Sequence, residues 1–232
     1  FINIPTTLLA QVDASVGGKT GVNNRFGKNL IGSFYQPRAV YCESKFLSTL
    51  PAREFVAGVA EAVKMAVCFD VELFKFFETH DLKNAGEISH VIARCVEIKA
   101  NVVERDERES GVRAVLNYGH TFAHAIEKIT DYKKFLHGEA VAIGMVMANT
   151  LARRLGKLNE LEEDQIRKVL QKFALPIKFH VEDTAEFYEL FFLDKKSENG
   201  KIKFILPDGI GKFYTSKEIA KDEVIAALKE FE

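Results

Sequence analysis

The sequence predicts an α/β remnant followed by a mainly α-helical, metal-binding domain, with the change near residue 50. Three observations predict it. Residues 1–50 alternate short apolar runs with glycine-punctuated turns, whereas from Pro51 onward apolar residues recur at helical spacing. His120, His124 and His137, three of the six histidines, fall within eighteen residues. Finally, Glu61 places a carboxylate inside the otherwise apolar helical stretch 58–64.

The elements follow in order. Residues 1–4 form a short apolar strand, closed by Pro5, which has no N–H to give a ladder. Thr6 caps a helical segment at 8–16. Gly17-Gly18-Lys19-Thr20-Gly21 makes a glycine-rich turn, 27–32 a second glycine-punctuated loop, and 39–42 a strand. Pro51 suits a first helical position and opens a helix to residue 68, with Phe55, Val56, Val59, Ala60, Val63 and Val67 at apolar positions. Further helices are expected at 71–77, 88–103, 117–129 and 138–155, the last two joined by a short loop at 131–136. Residues 161–173 are amphipathic and stop at Leu175-Pro176, because the residue before proline avoids the helical region. Residues 201–213 read as a hairpin around Pro207-Asp208-Gly209, and 219–228 as a last helix. There is no internal repeat or low-complexity tract, so residues 51–232 are read as one unit.

Composition narrows the function. Apolar residues make up 47% and charged residues 28% of 232, with net charge −1, so there is no general pull toward nucleic acid or anionic membrane. No apolar run approaches the roughly 20 residues that span a bilayer, and no signal-peptide pattern is present. Cys42, Cys68 and Cys95 form no CxxC pair and suit reduced thiols; the expected location is the cytoplasm. Residues 1–50 carry five basic side chains (Lys19, Arg25, Lys28, Arg38, Lys45) against Asp13 and Glu43. That excess suits an anionic ligand, although a solvated basic edge explains it equally well. Residues 1–4 read as the last strand of a larger sheet, so the chain is expected to be the C-terminal part of a longer polypeptide.

His120 and His124 are spaced i, i+4, which puts both imidazoles on one helical face. Neutral imidazole is a preferred ligand for a divalent metal, with a carboxylate or third histidine completing the shell. Spacing alone nominates His120 and His124 as joint ligands, with an acid/base role for His124 as the open alternative. A buried charge at Glu61 is expensive unless paired or metal-bound; the plain alternative is an exposed i, i+3 pair with Lys64. The Gly17–Thr20 stretch lacks the first glycine of a P-loop, yet its amides and Lys19 can hold an oxyanion. The charged run 104–109 reads as a solvated helix end, after which the chain returns so that Arg113 and Asn117 face one site. Asp194-Lys195-Lys196 reads as a surface turn.

Taken together, Ile4-Pro5-Thr6-Thr7-Leu8-Leu9-Ala10-Gln11-Val12-Asp13, Gly17-Gly18-Lys19-Thr20-Gly21, Gly27-Lys28-Asn29-Leu30-Ile31-Gly32, Thr49-Leu50-Pro51, Ala60-Glu61, Asp106-Glu107-Arg108-Glu109, Leu116-Asn117-Tyr118-Gly119-His120-Thr121 and His137-Gly138-Glu139 resemble the 3-dehydroquinate synthase family of sugar phosphate cyclases. The resemblance covers nearly the whole chain. It implies an N-terminal α/β domain that binds NAD, a C-terminal helical domain that carries the metal, and an active site in the cleft between them. This chain would begin at the end of the first domain, without the upstream glycine-rich pyrophosphate motif.

The implied reaction converts 3-deoxy-D-arabino-heptulosonate 7-phosphate to 3-dehydroquinate and phosphate. It runs by NAD-recycled oxidation, phosphate elimination, reduction and intramolecular aldol closure, a step of the shikimate pathway. The resemblance makes Glu61, His120 and His137 the metal ligands, with zinc expected and cobalt the second choice. His124 becomes a substrate-contacting acid/base group and Glu109 a proton acceptor, with Lys64 beside them in the chemistry. Asp13, Lys19, Asn29, Lys64, Lys99, Arg113, Asn117 and Lys195 match the polar cluster around the substrate, which also meets Glu61 and the three histidines. Thr6, Thr7, Lys28, Phe46, Leu47, Ser48 and Thr49 match NAD-contacting positions. A homodimer is implied. The alternatives are another cyclase, of the 2-deoxy-scyllo-inosose or 2-epi-5-epi-valiolone synthase type, a metal-dependent polyol dehydrogenase, and a non-catalytic metal-binding helical module.

Overall fold

A computed structural model describes residues 1–25, 27–193 and 201–232 of the chain. β1 (Ile2–Asn3) is followed by an antiparallel hairpin of β2 (Val22–Asn24) and β3 (Gly27–Ile31), and then by β4 (Ala39–Val40). β4 lies parallel to β1, with Ile2 opposite Ala39 and Asn3 opposite Val40. The stretch 27–32, expected as a loop, is thus mostly a strand. Its partner arm continues backward through Thr20, whose N–H donates to Ser33 O at 3.0 Å, and the reversal before it uses Gly17 and Gly18 at φ +100° and +69°, where a Cβ would be strained.

Between β1 and β2 the expected helix forms, but its cap is Thr7 and not Thr6: Thr7 Oγ1 accepts from Ala10 N at 3.2 Å. Its last turn, Ala10–Ala14, is π-wound, with Ser15 N donating five residues back to Ala10 O at 3.0 Å. Leu8, Gln11 and Val12 are carried into the interior.

The rest is helical. α1 (Ala52–Phe69), α2 (Val71–Thr79) and α3 (Ala85–Arg105) are followed by a 3-10 turn, Val112–Asn117, then α4 (His120–Ile129), α5 (His137–Arg154), α6 (Glu160–Lys172) and α7 (Thr184–Leu190). A hairpin, β5 (Phe204–Pro207) against β6 (Phe213–Ser216), and α8 (Lys221–Leu228) complete the chain. Most element ends differ from expectation by one to three residues, and three differences are instructive. Pro51 precedes α1 by one residue. Asn117 stands outside α4, because Gly119 at φ +79° interrupts the helical path. The second hairpin arm begins at Phe213, where the sequence pattern was expected to end. α7 lacks a long apolar period and was not expected; Asp183 starts it by accepting from Ala185 N and Glu186 N at 2.8 and 3.0 Å.

α5 is buried on every side from 138 to 152, and α1 from 57 to 68, the pattern of central helices. Glycines let them approach. A Cβ on Gly138 would overlap the Ala57 carbonyl of α1, and one on Gly144 the Gly119 carbonyl at the head of α4. The first contact lies one turn from Glu61 and beside His137, the second beside His120. Two backbone contacts therefore draw together the three helices that carry the candidate ligands. The cysteines are free, and burial pushes the Cys68 thiol up to about 12. No helix of the described residues is long and apolar enough to cross a membrane.

Candidate metal centre and active-site cavity

Glu61 on α1, His120 at the start of α4 and His137 at the start of α5 bring one oxygen and two ring nitrogens within 4.8 Å of one another. Glu61 Oε1 lies 3.6 Å from His120 Nε2 and 3.5 Å from His137 Nε2. The carboxylate is 2% exposed, so the expectation of burial holds. The i, i+3 ion pair with Lys64 exists as well, but inside the protein rather than on its surface. Glu61 Oε2, beside the Lys64 ammonium, is buried and receives no hydrogen bond of good geometry.

The far side of each imidazole is anchored. His120 Nδ1 lies 3.2 Å from the Tyr118 carbonyl; a carbonyl only accepts, so Nδ1 is the donor there, and in the neutral ring Nε2 is the nitrogen with the free lone pair. His137 Nδ1 lies 3.2 Å from Glu127 Oε1. Burial pulls the His137 pKa down, but the hydrogen bond the ring donates to Glu127 and the charges of Glu61 and Glu127 outweigh it and leave the imidazole above its ordinary value. Two imidazoles and a carboxylate, with their lone pairs converging, are the donor set of a three-ligand catalytic zinc site, which leaves a position open for substrate. The residues fit a divalent metal.

Sequence spacing paired His120 with His124, whereas the structure pairs His120 with His137 and Glu61. The His124 ring stands edge-on to His120 at 5.7 Å between centroids and 6.3 Å from His137. Glu127 is the residue that sequence reading missed. It follows His120 by seven positions and so shares its face, a signal available in the sequence.

The cluster opens onto a cavity of about 670 Å³, which Asp13, Lys19, Lys64, Lys99, Glu109, Arg113, Asn117, His120 and His137 line with Glu61. His124 is not among its lining residues. Asp13 stands at the π-wound turn between two lysines, Lys64 Nζ at 3.1 Å from Oδ2 and Lys99 against Oδ1. Burial would raise the Asp13 pKa, yet the two ammonium groups hold it well below the usual range. Burial likewise disfavours the Lys64 charge, but Asp13 and Glu61 outweigh it and keep Lys64 above its ordinary value. Lys99, with Asp13 shared and Lys64 and Arg113 near, is left below its ordinary value chiefly by burial.

At the mouth, Glu109 sits at φ +62°, a costly conformation for a side-chain-bearing residue. Lys19 pairs with its Oε2, and Asn117 Nδ2 donates to Oε1 at 2.5 Å. Arg113 is buried; Nη2 donates to Gly17 O at 2.8 Å and Nη1 to Glu107 O. The guanidinium thus ties the glycine turn to the charged run, which is largely exposed at the end of α3 as expected, although only Glu104 and Arg105 belong to the helix.

The remaining expected positions are more scattered. Lys28 and Asn29 lie on β3, their side chains outside the described set, and Lys195 lies outside the described residues altogether. Thr6 and Thr7 flank the π-wound segment. Phe46, Leu47, Ser48 and Thr49 form a 3-10 turn, Ser44–Thr49, where Leu47 packs into the core while Ser48 and Thr49 bond back to Lys45 O and Phe46 O. None of these six lines the cavity.

Comparison with known proteins decides the family. The family model described as 3-dehydroquinate synthase C-terminal matches residues 58–197, and the one described as 3-dehydroquinate synthase N-terminal matches residues 1–57.

The chain belongs to the 3-dehydroquinate synthase family.

Among its relatives, the 3-dehydroquinate synthase of Campylobacter hominis is 66% identical over 232 residues, covering 100% of this chain and 67% of the relative. That of Nitratiruptor sp. is 61% identical, covering 100% and 66%. The chain thus spans about two thirds of the length of these synthases. The fold also matches a Streptomyces hygroscopicus 2-epi-5-epi-valiolone synthase with NAD+ and Zn2+ bound, at TM-score 0.90 and 31% identity, covering 100% of this chain and 66% of that one. A 2-deoxy-scyllo-inosose synthase complexed with carbaglucose-6-phosphate, NAD+ and Co2+ matches at TM-score 0.84 and 27% identity, covering 100% and 67%.

Proposed function

We propose that this chain supplies the metal- and substrate-binding part of a 3-dehydroquinate synthase, a phosphate-eliminating carbon–oxygen lyase acting on 3-deoxy-D-arabino-heptulosonate 7-phosphate. The observation that carries it is the convergence of Glu61, His120 and His137 on a cavity edged by Lys19, Lys64, Lys99 and Glu109. Identity to synthases, 58–66%, far exceeds the 27–31% to the other two cyclases, which favours the synthase substrate.

Glu61, His120 and His137 would hold zinc, or cobalt, by one carboxylate oxygen and two Nε2 atoms. A bound metal polarises a substrate oxygen, and NAD accepts and returns a hydride. The chain's own residues do the rest. Lys19 and Lys99, with Arg113 behind them, balance the phosphate and carboxylate of a doubly anionic sugar acid. Asp13 locks Lys64 and Lys99 in place, so that the ammonium groups are oriented before substrate arrives. Glu109, fixed by Lys19 at one oxygen and Asn117 at the other, is the proton acceptor; His124 is the second acid/base group. Asn29 and Lys195 join the substrate shell, and Thr6, Thr7, Lys28 and 46–49 meet the nucleotide. Residues 1–50 close an NAD-binding α/β domain and 51–232 form the helical domain. The setting is a cytoplasmic homodimer.

The test is phosphate release from 3-deoxy-D-arabino-heptulosonate 7-phosphate with NAD and zinc, run on this chain and on a version extended to the length of its relatives. Release by the extended protein is expected. Silence from both would remove the substrate assignment.

A further inference from the structure

We propose that Glu127 is a positioning residue of the metal centre, holding the His137 imidazole by Nδ1 so that Nε2 faces the cation, and so setting the affinity of the site. This rests on Glu61, His120 and His137 being the ligands.

The two histidines are anchored in different ways. The Nδ1 partner of His120 is a backbone carbonyl only two residues away, on the same rigid segment. His137 is the first residue of α5 and its side chain is 36% exposed; its Nδ1 partner comes from another helix, across 3.2 Å. Glu127 is 5% exposed among the buried Ala123, Ile126 and Phe122, where an ionised carboxylate is expensive unless paired or hydrogen-bonded, as it is to His137. From that position it faces the one ligand whose own segment does not fix the ring. A carboxylate on the far nitrogen fixes the tautomer, orients the ring and makes the metal-facing nitrogen a stronger donor. A neutral carbonyl, as at His120, does this less.

The experiment measures zinc affinity by chelator competition, and the visible spectrum of the cobalt-substituted chain, for the parent, Glu127→Gln, Glu127→Ala and His137→Ala. Removal of an outer carboxylate of this kind weakens binding by about 10- to 100-fold. Glu127→Ala should show that loss with a displaced cobalt band, and Glu127→Gln, which keeps a neutral acceptor of the same shape, a smaller loss in the same direction. A tie that merely joins two helices would lower the melting temperature of the metal-free chain and leave affinity and spectrum unchanged. That outcome overturns the proposal. Should Glu127→Ala fail to fold, the isosteric Gln variant decides by itself. Tight zinc binding by His137→Ala is a separate pattern: it removes the ligand assignment, and the role of Glu127 with it.

Discussion

The first fifty residues and the helical remainder treat apolar side chains in opposite ways. Phe1, Ile2, Ile4, Val22, Ile31, Phe34, Tyr35, Tyr41 and Phe46 are exposed in the former, against Val71, Ile129, Tyr132 and Leu161 in all the rest of the described chain. A two-stranded parallel ladder bordered by exposed apolar groups departs from the usual setting of parallel strands, which are buried on both faces. The helical part covers itself, with α1 and α5 as its centre. The candidate ligands all belong to the helical part, and the positions assigned to NAD all belong to the first fifty residues. The division is not at residue 50 in packing terms. Leu8 and Val12 are buried in the helical core, and a Cβ on Gly58 would strike Leu8, so the π-wound segment is anchored to the helices although it precedes them.

The largest effect is expected of Asp13→Ala. If the π-wound turn is part of the helical core, the change strands Lys64 and Lys99, both buried, with one counter-charge fewer. Loss of a partner from a buried ionic cluster costs about 3–5 kcal/mol, readable from the urea midpoint. A change within the error of the midpoint would assign the turn to the exposed region. Next comes Gly138→Ala, which pushes α5 from the Ala57 backbone. Overpacking of this kind costs about 1–3 kcal/mol and should also weaken zinc binding, because His137 retreats from Glu61.

On the helical side, Asp70→Asn tests a single buried carboxylate. Asp70 caps α2 by accepting from Leu73 N at 3.0 Å and takes Arg94 Nη2 at 2.6 Å. Burial would raise its pKa, but these partners outweigh it and lower it. A depressed folded value stabilises above the unfolded pKa, about 4, and that contribution is lost as pH falls through the folded one. Asparagine caps as well as aspartate, so the variant should lose only about 1 kcal/mol at pH 7 and show a shallower acid-unfolding limb below about pH 4. An unchanged limb would remove Asp70 from the acid response. The smallest effect belongs to Ile4→Ser, in the uncovered region. It should stay within about 0.5 kcal/mol of the parent, and a larger loss would show that Ile4 is covered in solution.

Much of the helical part was legible in the sequence, because apolar residues at 3.6 spacing and the stop at Leu175-Pro176 are local signals. The hairpin at 22–31 was not, since its glycines read as a loop and its pairing joins residues that say nothing of each other alone. α7 was hidden by its shortness, with only the Asp183 cap to announce it. At the site, Glu61 was readable as a charge among apolar neighbours. Spacing favoured His124 over His137, because local periodicity sees one helix at a time, and the approach of α5 to α1 and α4 depends on Gly138 and Gly144. The resemblance grouped Glu61, His120 and His137, which the structure brings within ligand distance of one another.

The most direct measurement is zinc stoichiometry and affinity in His124→Ala and His137→Ala, read beside turnover of the extended protein. His124→Ala should keep the metal and lose turnover, while His137→Ala should lose the metal. Loss of zinc in both variants, or in His124→Ala alone, would make His124 a ligand and contradict the assembly of Glu61, His120 and His137 as the metal centre.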